Sequence, residues 1–328
     1  MTCGAILPPA CLSMSPFEIK PKAFATGLAS FVPGVRRFMV RGTGGTCSAR
    51  YCYTVWLRHL VKADAAGIPT VQSCVAELGP GDSLGVGLAA LLSGATGYVA
   101  LDAKPHANPQ QNLTVFEELV ELFRRREPIP DDVEFPLVRP RLQDYRFPSH
   151  ILSDDRLSSA LCASRIEAIR AAILGAQTSG IRLDYRAPWT DPSVVVSGSV
   201  DFLFSQAVLE HVEDLERTYK AMRAWVKPSG FLSHSIDFTS HDTTRSWNGH
   251  WTLNDPAWKI VRGTRPYFIN REPLSRHLAL LSKYGFALLH VDKQQASVDP
   301  AFRPARRFRG MDRLDVSTRG AFVQAKAT

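Results

Sequence analysis

A chain of 328 residues, of which 45% are hydrophobic and 21% charged, can bury one large core, or one core with a smaller lobe beside it. Its formal net charge of +8 favours anionic partners such as phosphorylated or sulfated compounds, acidic glycans or nucleic acid. The dense basic clusters at 124–126 and 303–313 are not interleaved with stacking aromatic residues. Nucleic acid is therefore not expected as the partner.

The cysteines and the N-terminal residues bear on the compartment. No CxxC spacing or pairing pattern links the cysteines, so we expect reduced thiols and no zinc site built on them. They lie at positions 3, 11, 47, 52, 74 and 162. The first 18 residues lack a basic region and contain Pro8 and Pro9, which makes a poor signal peptide. No apolar run approaches the ~20 residues that cross a bilayer, so we expect a soluble, cytoplasmic protein.

The N-terminal part of the chain is predicted to be irregular over the first ~35 residues, and a helix is predicted over 49–67. We assign 1–70 to an irregular segment with this cap helix and 71–328 to the main domain. A regular alternation then begins with a strand at 70–78, a helix from 84 that ends at Gly94, and a strand at 95–102. Asp82 or Ser83 is expected to cap that helix.

An insertion at about 105–155 interrupts the alternation. It combines a predicted helix at 112–126 with a proline-rich run at 126–148, where regular structure is not expected. We interpret the insertion as a lid or a substrate-side segment, and the polar, tryptophan-rich stretch at about 241–270 as a second substrate-side segment. The other predicted helices are 158–177, 211–226 and 273–285, and the other predicted strands are 181–185, 200–205, 231–238, 286–291 and 320–327.

This order of elements predicts the fold class. Strands that alternate with helices form a mostly parallel sheet, here of seven strands, with helices on both faces. In such an open sheet a ligand lies beyond the C-terminal ends of the strands. The first strand ends in ELGPG, residues 77–81, so the turn after it is the first place to look for a ligand site.

The composition of that turn distinguishes two cofactors. Gly79 and Gly81 allow the backbone to approach a ligand closely. A dinucleotide fingerprint requires a third glycine at the position of Leu84, and Asp82 places an anion where a pyrophosphate would lie, so NAD is disfavoured. Glu77 instead suits a cationic ligand such as S-adenosylmethionine, which carries a sulfonium and an amino group. An acid at the end of the second strand, Asp102, is placed to accept hydrogen bonds from both ribose hydroxyls.

Three stretches taken together resemble a class I S-adenosylmethionine-dependent methyltransferase: ELGPG, the LDA that ends the second strand, and VDFLFSQAVLEHVEDLERTYKAMRAWVKPSGFL from 200. The resemblance spans 72–237 and implies a Rossmann-like fold with S-adenosylmethionine as cofactor. It places Ser205 and Gln206 under the sulfonium and the chain at 187–189 beside the adenine. The cofactor-binding residues that it implies are Glu77, Gly79, Pro80, Gly81, Asp102, Ala103, Pro188, Ser205 and Gln206. The region 241–290 is similar to bacterial methyltransferases of small molecules, often sugar-related ones.

Methyl transfer to a hydroxyl requires a group that removes its proton, and histidine is the natural base near neutral pH. His211 follows the fourth strand, and Asp237 and His241 lie at the mouth of the fifth, so these three are the candidate catalytic residues. His234 points to the opposite face from Asp237 if the strand is regular. His250 lies between two tryptophans and is as well explained by burial as by substrate binding.

No metal site is predicted, although two sets of nitrogen and oxygen donors merit comparison with one. The acids near His211 are interpreted as a solvated helix face paired with Arg217 and Lys220. The first set contains His234, Asp237, His241, Asp242 and His250, and the second contains Glu210, His211, Glu213 and Asp214.

Other side chains have both a ligand-binding and a packing interpretation. Arg50, Tyr51 and Tyr53 of the cap helix could meet the cofactor's carboxylate, but packing of that helix on the core explains the aromatic residues equally well. Three arginines flank the predicted substrate side and suit an anionic acceptor or ordinary surface charge: Arg262, Arg265 and Arg271.

The sequence therefore predicts methyl transfer to a small-molecule acceptor, with a hydroxyl oxygen of a sugar or a related metabolite preferred and an anionic group allowed. The alternatives are an N-methyltransferase of the same fold and a binding or scaffold protein without catalysis. The retained residues Glu77, Gly79, Gly81 and Asp102 argue against the scaffold. The acceptor and the oligomeric state are left open.

Overall fold

The computed structural model describes residues 18–34, 44–189 and 191–328. The prediction that the N-terminal residues do not form a signal peptide falls on residues outside this range, apart from Glu18, and so do Cys3 and Cys11. One seven-stranded sheet has the strand order β3-β2-β1-β4-β5-β7-β6, with β7 antiparallel to both of its neighbours. The strands are β1 Cys74–Leu78, β2 Gly97–Leu101, β3 Arg182–Arg186, β4 Val200–Gln206, β5 Val226–Asp237, β6 Phe286–Gln295 and β7 Thr318–Ala327. The predicted fold class is confirmed.

Helices cover the sheet on both faces. They are α1 Pro21–Ala29, α2 Ala49–Ala65, α3 Gly85–Leu92, α4 Pro109–Arg124, α5 Asp154–Ala160, α6 Ala163–Ile173, α7 Leu215–Trp225, α8 Asp255–Arg262, α9 Leu274–Lys283 and α10 Arg313–Ser317. Within the described part of the chain, none of them has the length and apolar character needed to cross a membrane.

The alternation of side chains along the strands divides the interior into two cores. Val75 of β1 and Phe202 and Phe204 of β4 pack with α2, α3 and α4 on one face. Their neighbours Ala76 and Leu203 pack with α7 and α9 on the other. Every residue of α3 is buried, so this helix has no exposed side.

Several predicted boundaries are wrong. A helix, α1, lies where the sequence suggests irregular chain; a Cβ on its Gly27 would lie 2.1 Å from the Ile260 carbonyl oxygen of α8, so close packing holds the two helices together. The helix expected at 158–177 is interrupted near Cys162 and forms α5 and α6. The helix expected at 211–226 begins at Leu215, where Asp214 caps it. The strand expected at 231–238 begins earlier, at Val226, so that the KPSG tetrapeptide at 227–230 is part of β5.

The proline-rich insertion has no helix or strand between α4 and α5, as predicted, and it packs against α2. Arg58 of α2, whose side chain is fully buried, donates hydrogen bonds to the carbonyl oxygens of Pro130 (2.9 Å) and Val138 (2.9 Å) and to Asp132 Oδ1 (2.9 Å). A buried charge is tolerated when it is paired and hydrogen-bonded in this way. The insertion is thus anchored as a layer on the cap helix.

Candidate functional site

The turn between β1 and α3 requires glycine at two positions. Gly79 and Gly81 have φ values of +67° and +76°, which side-chain-bearing residues rarely adopt. The Gly79 amide donates to the Leu101 carbonyl oxygen at 2.8 Å, and a Cβ at this position would lie 2.6 Å from Cγ2 of Val208. The turn therefore leaves its backbone open at the C-terminal edge of the sheet.

Asp102 follows β2 directly and is held at the same edge. Its Oδ2 accepts from the Gly81 amide at 3.3 Å, and its Oδ1 accepts from the Ala103 amide at 2.6 Å. Burial raises the pKa of Asp102, while these backbone hydrogen bonds oppose that rise. Since a carboxylate offers about four lone-pair positions, Asp102 keeps capacity for ribose hydroxyls.

Glu77 lies under the turn and is nearly fully buried. The Tyr98 hydroxyl donates to its Oε2 at 2.5 Å, and Gly87 provides the space for that ring, because a Cβ there would lie 1.9 Å from Tyr98 Cζ. Burial raises the pKa of Glu77 to about 8, with a further rise from Asp102 and a lowering by the Tyr98 hydrogen bond. A nearby cation would favour the ionised carboxylate.

The start of α3 is fixed by two side chains. Asn112 Oδ1 of α4 accepts from the Leu84 amide at 2.9 Å, and Ser83 Oγ accepts from the Gly85 amide at 3.1 Å. Ser83, one of the two residues predicted to cap this helix, therefore accepts from one of its first amides. Gly85 packs closely against Cys52, since a Cβ would lie 2.5 Å from that sulfur. Gly85, one position after the place where a dinucleotide fingerprint has its third glycine, thus allows α3 to pack closely on α2.

The loop after β3 meets Asp102 through the backbone. The Trp189 amide donates to the Asp102 carbonyl oxygen at 3.0 Å, which brings the neighbouring Pro188 beside the end of β2. The Trp189 ring packs edge-to-face on Trp225 with ring centroids 5.2 Å apart. The segment that the sequence places beside the adenine is therefore adjacent to the residue expected to hold the ribose.

The side chains of Ser205 and Gln206, at the end of β4, point to opposite faces and have protein partners. Ser205 is fully buried, and its hydroxyl lies 2.8 Å from Nδ1 of His234. Gln206 Oε1 lies 3.3 Å from Nε2 of His59, whose Nδ1 lies 2.8 Å from Ser233 Oγ. The Ser205 hydroxyl is thus engaged within the sheet and is not presented at its edge, because alternation along β4 turns it away from the Glu77 face.

The three candidate catalytic residues come together beyond β4 and β5. The rings of His211 and His241 lie edge-to-face with centroids 4.9 Å apart. His241 Nε2 lies 3.3 Å from Asp237 Oδ2 without the alignment of a hydrogen bond. Glu210, which the sequence did not single out as catalytic, adjoins them in a 3-10 turn, Leu209–His211, and is 3% exposed.

The electrostatics of this cluster follow from burial. Burial lowers the pKa of His211 to about 4, with a further lowering by His241. Burial also raises the pKa of the Glu210 carboxyl well above its usual range, with a contribution from Asp237. For Asp237 burial alone would raise the pKa, but the proximity of His241 and the hydrogen bonds that Thr239 donates outweigh it, and the pKa is lowered.

Asn270 positions the turn that carries Glu210 and His211, and nothing in the sequence pointed to it. Its Nδ2 donates to the carbonyl oxygens of Leu209 (2.8 Å) and Val212 (2.9 Å), and its amide donates to the Glu210 carbonyl oxygen at 2.7 Å. This asparagine lies some sixty residues along the chain, so no local pattern could reveal the contact.

Backbone strain marks the two segments that meet here. Ala207 has φ +53°, His241 has φ +46° and Asp242 has φ +63°. Such conformations cost about 1–3 kcal/mol each for residues other than glycine and cluster at functional sites.

Several other predicted contacts are satisfied within the protein. His234 is buried on the opposite face, and His250 is buried against Trp251 with ring centroids 4.5 Å apart. Arg50 forms two hydrogen bonds of 2.6 Å to Glu134, and Tyr53 donates to the Glu127 carbonyl oxygen at 2.8 Å.

The arginines of the substrate side are likewise paired. Arg262 donates to Glu213 at 2.5 Å, and the buried Arg271 donates to Asp255 at 3.1 Å. Arg265 donates to the Arg262 carbonyl oxygen at 3.0 Å and lies over the Phe268 ring. All three arginines therefore have partners within the protein, at or near the 255–272 segment.

Comparison with known proteins agrees with this geometry. Residues 183–233, from β3 into β5, match the family described as a methyltransferase domain. This match lies within the stretch whose sequence resembles a class I methyltransferase. The chain therefore carries a segment similar to a methyltransferase domain, in agreement with that resemblance. No curated protein matches it at a significant level.

Solved structures of methyltransferases match the chain at low identity and with low TM-scores. A Mesorhizobium loti S-adenosylmethionine-dependent methyltransferase is 15% identical, with 82% of this chain and 97% of that chain covered and a TM-score of 0.39. A Listeria monocytogenes protein titled a putative methyltransferase of the same kind is 10% identical, with 85% and 98% covered and a TM-score of 0.40. Haemonchus contortus phosphoethanolamine N-methyltransferase 2, in complex with S-adenosyl-L-methionine, is 14% identical, with 90% and 60% covered and a TM-score of 0.43. Similarity at this level identifies no acceptor.

Proposed function

We propose that this methyltransferase acts on a hydroxyl oxygen of a small-molecule acceptor, a sugar or a related metabolite. The observation that carries the proposal is the group of Asp237, His211 and His241 beyond β4 and β5, with 3.3 Å between Asp237 and His241. A hydroxyl nucleophile needs such a proton acceptor, whereas an amine nucleophile has a free lone pair once it is neutral.

The cofactor end is proposed to bind S-adenosylmethionine through the residues named from the sequence. The glycine turn at Gly79 and Gly81 would accommodate the methionine part, Asp102 would accept from the ribose hydroxyls, and Pro188 would border the adenine. Glu77, buried beneath the turn, supports a cationic ligand, because a positive charge nearby offsets the cost of ionising a buried carboxyl.

The cofactor, when bound, supplies a methyl carbon activated by the positive sulfur. The chain then has two tasks, which are to hold the acceptor oxygen in line with that carbon and to receive its proton. Asp237 is the proposed proton acceptor, with His241 and His211 fixing its position and the acceptor's. Asp237 would receive the proton of the acceptor O–H as its oxygen bonds to the methyl carbon, and the electron pair of the broken C–S bond would stay on the sulfur of the cofactor.

The arginine contacts favour a neutral acceptor over an anionic one. Arg262 and Arg271 already pair with Glu213 and Asp255, so their charge is not free for a phosphate or a carboxylate. A polyol such as a sugar suits the uncharged donors and acceptors that remain.

Calorimetric titration with S-adenosylmethionine, S-adenosylhomocysteine and NAD tests the cofactor site. We expect both sulfur ligands to bind and NAD not to bind. Asp102→Ala should weaken both by a hundredfold or more, because two hydrogen bonds to a charged group are worth ~1.5–3 kcal/mol each. The matched control is Asp155→Ala, an exposed acid at the start of α5, which should bind like the parent. Binding of NAD, or unchanged binding by Asp102→Ala, would contradict the assignment.

Transfer of a labelled methyl group to a panel of sugars, polyols and amines then tests the acceptor. Labelled ethers should form, and Asp237→Asn should lower the rate by ~10²–10⁴-fold, the usual contribution of a positioned base, while cofactor affinity stays within about twofold. Labelled amines with no ethers would identify an N-methyltransferase instead.

A further inference from the structure

Glu210 is a buried acid without a partner. It is 3% exposed, and neither of its carboxylate oxygens makes a hydrogen bond. Nδ1 of His211 and Nε2 of His241 are also buried and without a hydrogen bond. Buried polar atoms that lack partners cost several kcal/mol, so a cluster of them facing one another indicates a missing positive ligand.

The positions of these atoms suit a single ion. One donor atom from each of Glu210, His211 and His241 lies within 4.8 Å of the other two. Tetrahedral ligands bound to one ion at ~2.1 Å are ~3.4 Å apart, so the side chains need to close by at most about 1.4 Å. An exposed acidic cluster would lack both this burial and the two imidazole donors.

We propose that Glu210, His211 and His241 bind one divalent transition-metal ion. Imidazole nitrogens favour zinc, iron, cobalt or nickel over magnesium, and the single carboxylate also admits manganese. Asp237 Oδ2 lies 3.3 Å from Nε2 of His241, at the edge of the cluster, and adds a negative charge that favours a cation there. Asn270 fixes the turn that supplies the other two ligands.

The use of the ion depends on the proposed function, whereas its binding does not. The site lies beyond β4 and β5, where the acceptor hydroxyl is proposed to bind. A hydroxyl bound to a divalent ion loses its proton more readily, and that proton would pass to Asp237 as the oxygen bonds to the methyl carbon. The ion would therefore orient the acceptor and lower the demand on the base.

Titration of the chelator-treated full-length chain with cobalt(II) tests the site, because cobalt bound by nitrogen and oxygen donors gains intense visible absorption. We expect one ion per chain. Glu210→Gln and His241→Asn should each weaken it by tenfold or more, since loss even of residues that support a ligand costs ~10–100-fold. The controls are His150→Asn and Glu121→Gln, whose side chains are largely exposed and lie outside the cluster.

Two results would overturn the proposal. One is the absence of cobalt absorption in a parent protein that binds S-adenosylmethionine and is therefore folded. The other is parent-like affinity in both cluster variants, which would mean an adventitious site elsewhere. Because the titration contains neither cofactor nor acceptor, cobalt binding without S-adenosylmethionine binding would instead contradict the proposed function and leave the ion site standing.

Discussion

At the proposed cofactor end of the site the buried acids Asp102 and Glu77 have hydrogen-bond donors, whereas at the proposed acceptor end the buried acid Glu210 has none. Asp102 accepts from the backbone of the glycine turn and Glu77 accepts from Tyr98. Glu210 has no hydrogen bond to either oxygen, and the facing His211 and His241 each carry a nitrogen without one. The two ends touch where Val208 lies against Gly79.

This difference distinguishes a site that is complete by itself from one that requires a ligand. Paired groups fix the backbone of the cofactor turn before anything binds. Unpaired buried groups raise the free energy of the empty acceptor end, and a ligand that supplies their partners recovers that cost on binding. Variants at the two ends should therefore differ in which ligand they affect.

The largest expected effect comes from Gly79→Ala, where the two ends meet. A side chain at φ +67° costs ~1–2 kcal/mol, and the 2.6 Å approach to Val208 adds ~1–3 kcal/mol of overpacking. Denaturant unfolding should show a loss of about 2–5 kcal/mol. The double variant with Val208→Ala should recover only the overpacking part, and full recovery would mean that the backbone conformation carries no cost.

Asn112→Ala and Asn270→Ala form a matched pair that separates the ends. Each asparagine holds one segment, Asn112 the start of α3 and Asn270 the 209–212 turn. Loss of a buried hydrogen bond costs ~1–3 kcal/mol, so amide hydrogen exchange should quicken about tenfold or more in the segment concerned. Only Asn112→Ala should weaken S-adenosylmethionine. Faster exchange in both segments in either variant would contradict the separation.

The pKa of Glu77, raised to about 8, predicts pH-dependent cofactor binding. A raised carboxyl pKa stabilises the empty protein at low pH, and that contribution is lost as the pH rises from about 4.5 through 8. A cationic ligand prefers the ionised form, so its affinity should rise about tenfold per pH unit between pH 6 and 7.5. Calorimetry should detect the released proton, and Glu77→Gln should abolish the slope. A slope that persists in Glu77→Gln would assign it to another group.

The smallest expected effect is that of Ala207→Gly at the end of β4. Relief of the φ +53° conformation gains ~1–2 kcal/mol, and the greater freedom of glycine in the unfolded chain removes ~0.5–1 kcal/mol. Thermal unfolding should therefore show a net gain of about 0.5 kcal/mol. Ala168→Gly inside α6 is the control and should lose about 1 kcal/mol. A loss at Ala207 as well would mean that no strain is stored there.

Local patterns in the sequence predicted the fold class and the glycine turn after β1 well. The alternation of strands and helices, the glycine turn and the acid after the second strand all follow from neighbours in the chain, and the strand order and the positive φ values at Gly79 and Gly81 agree with them. Local patterns did not predict the helices that depend on contacts with residues distant in the sequence. The α1 helix depends on α8, and α8 itself lies in a stretch that looked irregular.

The tertiary structure alone decided how the acceptor end is built. Sequence spacing named His211, Asp237 and His241, but not that Glu210 is buried beside them or that Asn270 holds its turn. Nor could the sequence show that Arg262 and Arg271 pair with Glu213 and Asp255, so both remained candidates for binding an anionic acceptor. Periodicity and turn chemistry act between near neighbours, so the sequence determines the framework and its cofactor turn. Pairing between distant side chains depends on strand register and packing, which exist only once the chain has folded.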